Sequence, residues 1–417
     1  MIRTKQYLFK LVIPFIRFPE QQAFIGQGSA FNLANNLLEL GVSKPLIVTD
    51  RNLIRLNLMD EFVESLRVTG IDYIIFNHVQ PDPTISNVME GVQVYVENQC
   101  NGIIAIGGGS CIDCAKMIGA KATNQKSVYG MKGMFKVKNK IPFLLAIPTT
   151  AGTGTESTVA AVITNEASAE KFVINDTKLI PKAYCLDPTL LVTLPNHLTA
   201  STGMDALTHA IEAYIGIHGT KQTNEDAIKA VQVIFNTLEK SYKNGNQLED
   251  RLMMLKAAND AGKAFTKASV GYVHAIAHQL GALYHIPHGL ANAIVLPYVL
   301  EISKDKARKK LAHLGKIVGI PSVNDEELAD LFIQKVRDLN DVLAIPKHIT
   351  EIRERDISYL ALKIEQEANP AYPVPKILYQ KDFEILLKRI RGDQEKETLE
   401  STSLVEEINS WVSNHEN

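Results

Sequence analysis

Short apolar runs alternate with amphipathic stretches through the first half of this chain. Pro45–Thr49, Tyr73–Phe76, Gly102–Ile106 and Pro142–Ile147 are brief and rich in aliphatic residues, which predicts strands. Between them Phe31–Leu40, Thr84–Asn98 and Asp113–Lys121 repeat their apolar positions at helical spacing. Strands separated by helices build βαβ units, so a parallel sheet with right-handed crossovers is expected. After about Leu194 the β-branched runs thin out. Long helical patterns follow at Thr199–Ile215, Glu225–Asn244 and Gln247–Lys267, then a region rich in Lys and Glu. The expected organisation is an α/β domain over residues 1–195 and an all-α domain over residues 196–417, divided near Leu194–Pro195, with a ligand cleft between them.

Both ends of the chain need a reading. The opening "MIRTKQYLFKLVIPFIRFPE" is basic, but its apolar run Leu11–Ile16 is shorter than a signal-peptide core, is flanked by Lys10 and Arg17, and precedes no small-residue cleavage site. An opening strand and a cytoplasmic location are expected. The last twenty-five or so residues are polar and acidic and read as a surface helix. No segment approaches the length of a transmembrane helix.

Composition narrows the function classes. With 46% apolar residues, 22% charged residues and a formal charge of −2, the chain is an ordinary globular protein with no general field for nucleic acid or an anionic membrane. Four cysteines are too few for a disulfide scaffold and point to a reducing compartment. Cys111 and Cys114 form a C-x-x-C, yet no second pair completes a metal site, and they sit at a helix start, so a redox role is not assigned.

Two loops carry candidate phosphate chemistry. "IIAIGGGSCIDCAK" reads as a strand, a turn at Gly107, Gly108 and Gly109, and a helix beginning near Ser110. Three glycines let a ligand approach main-chain N–H groups, and a helix N-terminus adds unpaired donors and a positive dipole end. Ser110 and Asp113 have capping-box spacing. The glycine spacing is not G-x-G-x-x-G, which points away from the standard dinucleotide fold. The second loop, Ala146–Ser157, is rich in threonine and glycine and also follows a strand. Asp50 closes the strand "PLIVT"; a carboxylate there can accept hydrogen bonds from an adenosine ribose and would repel a 2′-phosphate, favouring NAD over NADP.

The histidines raise a different question. Gly271–Ile294 holds His274, His278, His285 and His288 but no Lys, Arg, Asp or Glu. His274 and His278 are four residues apart, as are Asp205 and His209 in an earlier helical segment, and that spacing places each pair on one helix face. Along an unbroken helix His274 and His288 would stand roughly 21 Å apart, too far to share an ion. Gly281 weakens the helical pattern and Pro287 breaks it, so His288 can fold back. Neutral imidazoles with one carboxylate suit a divalent first-row metal. Without thiolates the set favours an open, catalytic site over a structural one.

Taken together, "GYVHAIAHQLGALYHIPHG", "GMDALTHAIEAY", "GGGSCIDCAK" and "IPTTAGTGTE" resemble the iron-containing (group III) alcohol dehydrogenase family, in consistent order from about Phe18 to beyond Pro297. The resemblance implies an N-terminal α/β dinucleotide-binding domain with a Rossmann-like parallel sheet, an all-helical C-terminal metal-binding domain, NAD as cofactor, and Fe²⁺ (or Zn²⁺) between them. It implies Asp205, His209, His274 and His288 as metal ligands, with His278 near the nicotinamide without being a ligand; an imidazole that titrates near neutrality suits a proton relay there. By the same resemblance Gly107, Gly108, Gly109 and Ser110 hold the pyrophosphate, and Thr149, Thr150, Thr155, Lys171 and Leu190 line the cofactor. Asp50 stands where NAD-preferring members carry an aspartate. His285 falls outside the ligand pattern and reads as packing or substrate-side lining. Ala160 and Ala161 are small where some relatives carry larger side chains.

The reaction so implied is metal-assisted hydride transfer between a small neutral alcohol or aldehyde and NAD(H), in a homodimer or larger homo-oligomer. A metal-free or zinc-dependent reductase of the same fold (glycerol dehydrogenase-like), an NAD-using sugar-phosphate lyase of related fold, and a non-enzymatic metal-dependent interaction protein are the alternatives.

Overall fold

In a computed structural model that describes residues 2–168, 170–321 and 324–393, every strand falls in the first half of the chain. These are β1 (Gln22–Ile25), β2 (Pro45–Val48), β3 (Ile74–Phe76), β4 (Gly102–Gly107), β5 (Gly133–Met134), β6 (Phe143–Pro148), β7 (Ala160–Asn165), β8 (Glu170–Asn175) and β9 (Ala183–Leu186). The helices of this half are α1 (Ile2–Val12), α2 (Ser29–Leu37), α3 (Arg51–Arg55), α4 (Asp60–Val68), α5 (Ile85–Glu97) and α6 (Gly109–Thr123). Among the described residues the second half carries helices and no strand: α7 (Asn196–Ile215), α8 (Lys221–Lys243), α9 (Leu248–Ala268), α10 (Tyr272–Tyr284), α11 (His288–Ile317), α12 (Asp325–Val342), α13 (Ile357–Ala368) and α14 (Gln380–Arg391).

Six strands form a parallel sheet in the order β1-β9-β6-β4-β2-β3. Its central strands are covered on both faces, which explains their unbroken apolar runs. On β4, Ile103 and Ala105 point into a cluster with Val88 of α5 and Ile112 and Ile118 of α6. Ile104 and Ile106 point the other way, onto Leu33 and Leu37 of α2 and Phe62 and Leu66 of α4. A smaller sheet in the order β5-β8-β7 stands beside it, with β7 and β8 antiparallel and Ala160 opposite Asn175. The helical half has its own core around α7, whose residues Gly203–Ile215 are all buried.

The predicted break between His274 and His288 occurs, displaced from Gly281. That glycine stays inside α10; the helix ends at Tyr284, His285 takes a left-handed φ of 57°, and α11 begins after Pro287. Two local expectations are corrected. Leu11–Ile16 is not a strand: α1 runs through Val12 and a 3₁₀ turn covers Ile13–Phe15. Gln6, Phe9 and Ile13 share a helical spacing that a search for contiguous apolar residues overlooks. Ser110 and Asp113 form no capping box either. Gly108 caps α6 without a side-chain bond, while Asp113 accepts from Thr155 Oγ1 (2.6 Å) and Val162 N (3.0 Å). The surface helix expected at the C-terminus lies outside the described residues. Among the described residues no helix is long and apolar enough to cross a membrane.

One backbone contact ties the threonine loop to the helices. Gly154 has a φ of 59°, and a Cβ there would lie 2.4 Å from Ala258 O of α9; a Cβ on Gly262 would lie 2.5 Å from Gly154 O. Neither obstacle is a side chain that can rotate away. Gly262→Ala is therefore expected to destabilise the fold by roughly 1–3 kcal/mol, read as a lower urea midpoint; an unchanged midpoint would mean the two backbones separate at little cost.

Candidate active site

Three helices bring the sequence-predicted ligands together. Helix α7 presents Asp205 and His209 one turn apart, α10 presents His274 and His278, and α11 opens with His288. Asp205 Oδ1 lies 4.0 Å from His209 Nδ1, 3.8 Å from His274 Nε2 and 3.6 Å from His288 Nε2. Donor atoms of Asp205, His209 and His274 all fall within 4.8 Å of one another, and these three side chains are buried. His288 is half-exposed.

The surroundings keep the imidazoles neutral. Burial lowers His209, lowers His274 well below the ordinary histidine value, and takes His288 to about 4. His209 stacks on Phe265 at 4.2 Å, and its buried Nδ1 has no hydrogen-bond partner. His274 is oriented from behind: its Nδ1 bonds to Glu212 Oε2 at 2.7 Å, which directs Nε2 at Asp205. Glu212 also accepts from the Gly271 and Val273 amides at the start of α10, each at 2.7 Å, while burial pushes its carboxyl up to about 7. One carboxylate with neutral imidazoles, one of them bearing an unpartnered buried nitrogen, is a donor set that fits a divalent cation.

Three residues of this arrangement escaped the sequence reading. Glu212 is one. Asn292, one turn after His288, donates from Nδ2 to Asp205 Oδ1 (2.6 Å) and lies 3.1 Å from His288 Nε2 and 3.3 Å from His274 Nε2. Glu367 of α13 bonds His278 Nδ1 at 2.6 Å and accepts from Tyr372 Oη at 2.9 Å. Burial pulls His278 down, but the Glu367 carboxylate outweighs it and holds the imidazole above its usual value. The His278 ring stacks on His288 at 5.3 Å. Only Asn292 carried a local signal, its helical spacing from a histidine; Glu212 and Glu367 are 62 and 89 residues from the groups they hold.

A cavity of about 600 Å³ runs from these histidines to the glycine turn. Gly109, Ser110, Thr155 and Lys171 line it, together with Ala160, His209, His274, His278 and His288. Gly107, Gly108, Thr149, Thr150, Leu190 and Asp50 do not. Gly107 ends β4 with a φ of 153°, where a Cβ would strike Cys111 Sγ at 2.5 Å, and its carbonyl accepts from Thr149 N at 3.1 Å. Asp50 caps α3 through Oδ1, bonding Asn52 N at 2.7 Å and Leu53 N at 3.1 Å; its Oδ2 lies 3.7 Å from Cys111 Sγ, at the edge of the glycine turn. Lys171 pairs with Asp82 at 2.7 Å. Leu190 packs into the cores on either side, and Ala161 is in the core, behind the cavity wall. His285 is exposed and lines nothing here. Burial raises the thiols of Cys111 and Cys114 above their ordinary range, which disfavours thiolate chemistry.

Buried charge shapes the threonine loop. Lys116 Nζ contacts Thr155 Oγ1 (3.0 Å), Thr158 O (3.1 Å), Thr158 Oγ1 (3.0 Å) and Ala160 O (2.7 Å), and burial lowers its ammonium to about 8. Glu156, raised by burial, accepts from Asn259 Nδ2 of α9 at 2.9 Å.

A family model described as iron-containing alcohol dehydrogenase matches residues 20–188, and one described as Fe-containing alcohol dehydrogenase family, C-terminal, matches residues 199–390. A 1,3-propanediol dehydrogenase of Citrobacter freundii is 36% identical over 368 residues, covering 87% of this chain and 94% of that protein. An NAD-dependent methanol dehydrogenase of Bacillus methanolicus is 37% identical over 341 residues, covering 81% of this chain and 90% of its own. The solved structure of an alcohol dehydrogenase from Oenococcus oeni superposes with a TM-score of 0.87 at 34% identity, covering 90% of this chain and 99% of that one.

The Glu212–His274 bond sets a test. Glu212→Gln keeps the shape but weakens the orientation of His274, so affinity for Fe²⁺ or Zn²⁺ should fall about 10–100-fold in competition with a fluorescent chelator. Unchanged affinity would make the contact incidental.

Proposed function

The chain belongs to the iron-containing alcohol dehydrogenase family, and from that premise we propose how its own residues perform the family's NAD-dependent, metal-assisted oxidation of alcohols and reduction of aldehydes. The observation that carries the reading is Asp205 Oδ1 within 4.0 Å of nitrogens from three histidines on three helices, all three of which line a cavity that also takes in the start of α6.

In this reading Asp205, His209, His274 and His288 hold the cation, and Glu212 and Asn292 orient them. When bound, the cation supplies positive charge to the substrate oxygen and the nicotinamide exchanges the hydride. Gly107, Gly108, Gly109 and Ser110 offer main-chain donors and the α6 dipole to the pyrophosphate. Thr149, Thr150, Thr155, Lys171 and Leu190 form the cofactor side, and Asp50 Oδ2, free of the α3 cap, takes the ribose. His278 is the proton-relay residue: with Nδ1 engaged by Glu367, its Nε2 is left to accept the hydroxyl proton, and Tyr372 braces the same carboxylate. Phe265 and the buried rings around His209 exclude water.

The substrate class is a small neutral alcohol or aldehyde, in keeping with the 1,3-propanediol and methanol named for the two relatives. Domains at residues 1–195 and 196–417 meeting at the cavity, a cytoplasmic location, and a homodimer or larger ring complete the proposal. Four buried free cysteines support the location; β1, on the edge of the sheet and carrying the half-exposed Ile25, leaves a surface for a second copy.

A panel of alcohols assayed with NAD and NADP on ferrous-loaded protein tests the whole reading: turnover with NAD is expected, and none with any alcohol or aldehyde would refute it. Asp50→Ser keeps a capping hydroxyl for α3 and removes the charge, so the NAD over NADP preference should shrink by at least about tenfold. His278→Ala should lower kcat by about 100-fold or more; full turnover across the pH range would remove His278 from the mechanism.

A further inference from the structure

Helix α1 precedes the matched segment, which begins at residue 20, yet it is built into the cavity. Four bonds fix it to the helical half. Arg3 Nη1 donates to Val374 O (2.6 Å) and Nη2 to Pro375 O (3.0 Å), Gln6 Nε2 donates to Tyr372 O (2.6 Å), and Gln6 O bonds His218 Nε2 at 2.8 Å. The face that carries Gln6 also carries Phe9 and Ile13, three and seven residues on, and both line the cavity, as do Ile16 and Phe18 beyond the helix. Met134 and Phe135 of the sheet half line the same cavity.

Tyr372 fixes which end of the cavity this is. Its carbonyl holds Gln6, while its hydroxyl holds Glu367, the partner of His278. The apolar wall of α1 therefore begins one residue away from the proton-relay pair, on the helical side. Polar groups gather at His274, His278 and His288; on the side of α1 the lining is Phe9, Ile13, Ile16 and Phe18 together with Lys5, Gln6 and Lys267, whose Nζ lies 5.2 Å from the centre of the Phe18 ring. A substrate whose oxygen sits among the histidines and whose carbon chain extends toward α1 meets the side chains of Phe9 and Ile13.

We infer that α1 and the 3₁₀ turn that follows it form the specificity wall of the site, packing against the substrate's carbon chain through Phe9 and Ile13, so that the preferred substrates are primary alcohols and aldehydes with an apolar tail longer than that of ethanol. This rests on the alcohol dehydrogenase reading of the same cavity. Each methylene moved from water onto such a wall favours the complex by about fourfold.

The experiment uses the full-length, metal-loaded chain with NAD, comparing ethanol with hexan-1-ol, and has two arms. In steady-state kinetics hexan-1-ol should exceed ethanol in kcat/KM by at least about tenfold. The double variant Phe9→Ala/Ile13→Ala should cut that ratio about tenfold or more, and Ile13→Leu should preserve it. In hydrogen exchange, hexan-1-ol with NAD should slow the α1 amides of Ile2–Val12, and ethanol should not. An unchanged ratio in the double variant, an equal loss on both alcohols, or α1 amides indifferent to hexan-1-ol each overturns the inference. If no alcohol is turned over, the activity reading fails instead, and the exchange arm alone then decides whether α1 contacts the chain of hexan-1-ol.

Discussion

A buried carboxylate ringed by imidazoles is the constraint around which the helical half is arranged. Asp205 and His209 must come from one helix, His274 and His278 from a second and His288 from a third, so α7, α10 and α11 cross at a single point. That crossing buries nearly all of α7. It also requires a sharp return between α10 and α11, which the left-handed His285 and Pro287 provide. Glu212 is costly to bury as a charge, and the two amides it accepts at the start of α10 offset part of that cost through direct hydrogen bonds and the positive end of the helix. The same contact aims His274.

The α/β half delivers the other end of the cavity. A parallel sheet places its loops at the carboxyl ends of the strands, and here the turn after β4 and the loop after β6 lie side by side. Their shape is held from beneath. Lys116 contacts four oxygens on Thr155, Thr158 and Ala160, where the second loop runs into β7, Asp113 takes Thr155 and Val162, and Glu156 reaches α9 through Asn259. Buried charged groups held by hydrogen bonds to neutral partners in this way define one arrangement of the loop against the helices more than they add stability. The glycines of the second loop serve the same end: Gly154 admits the backbone of α9, a role distinct from approach to a phosphate.

Local periodicity made much of this legible. The positions of β2, β3, β4 and β6, the helical pairs Asp205–His209 and His274–His278, and the break before His288 follow from short apolar runs, four-residue spacings and proline. By contrast β1, β5, β7, β8 and β9 lie in segments that this pattern does not single out. The misreadings have the same origin. Leu11–Ile16 looks like a strand because its residues are contiguous, while α1 is defined by what Gln6 and Arg3 find at residues 372–375. Ser110 and Asp113 have the right spacing for a cap, but Asp113 has stronger partners brought by β7 and the threonine loop. Glu212 and Glu367 were illegible because each acts on a residue far along the chain, and only the packing of α7 and α13 on α10 reveals them.

The most direct measurement is anomalous scattering from crystals soaked in ferrous or zinc ions, recorded on either side of the metal's absorption edge. The predicted result is one strong peak bonded to Asp205, His209, His274 and His288. A peak elsewhere, or none at that crossing, would contradict the claim that this cluster is a metal centre.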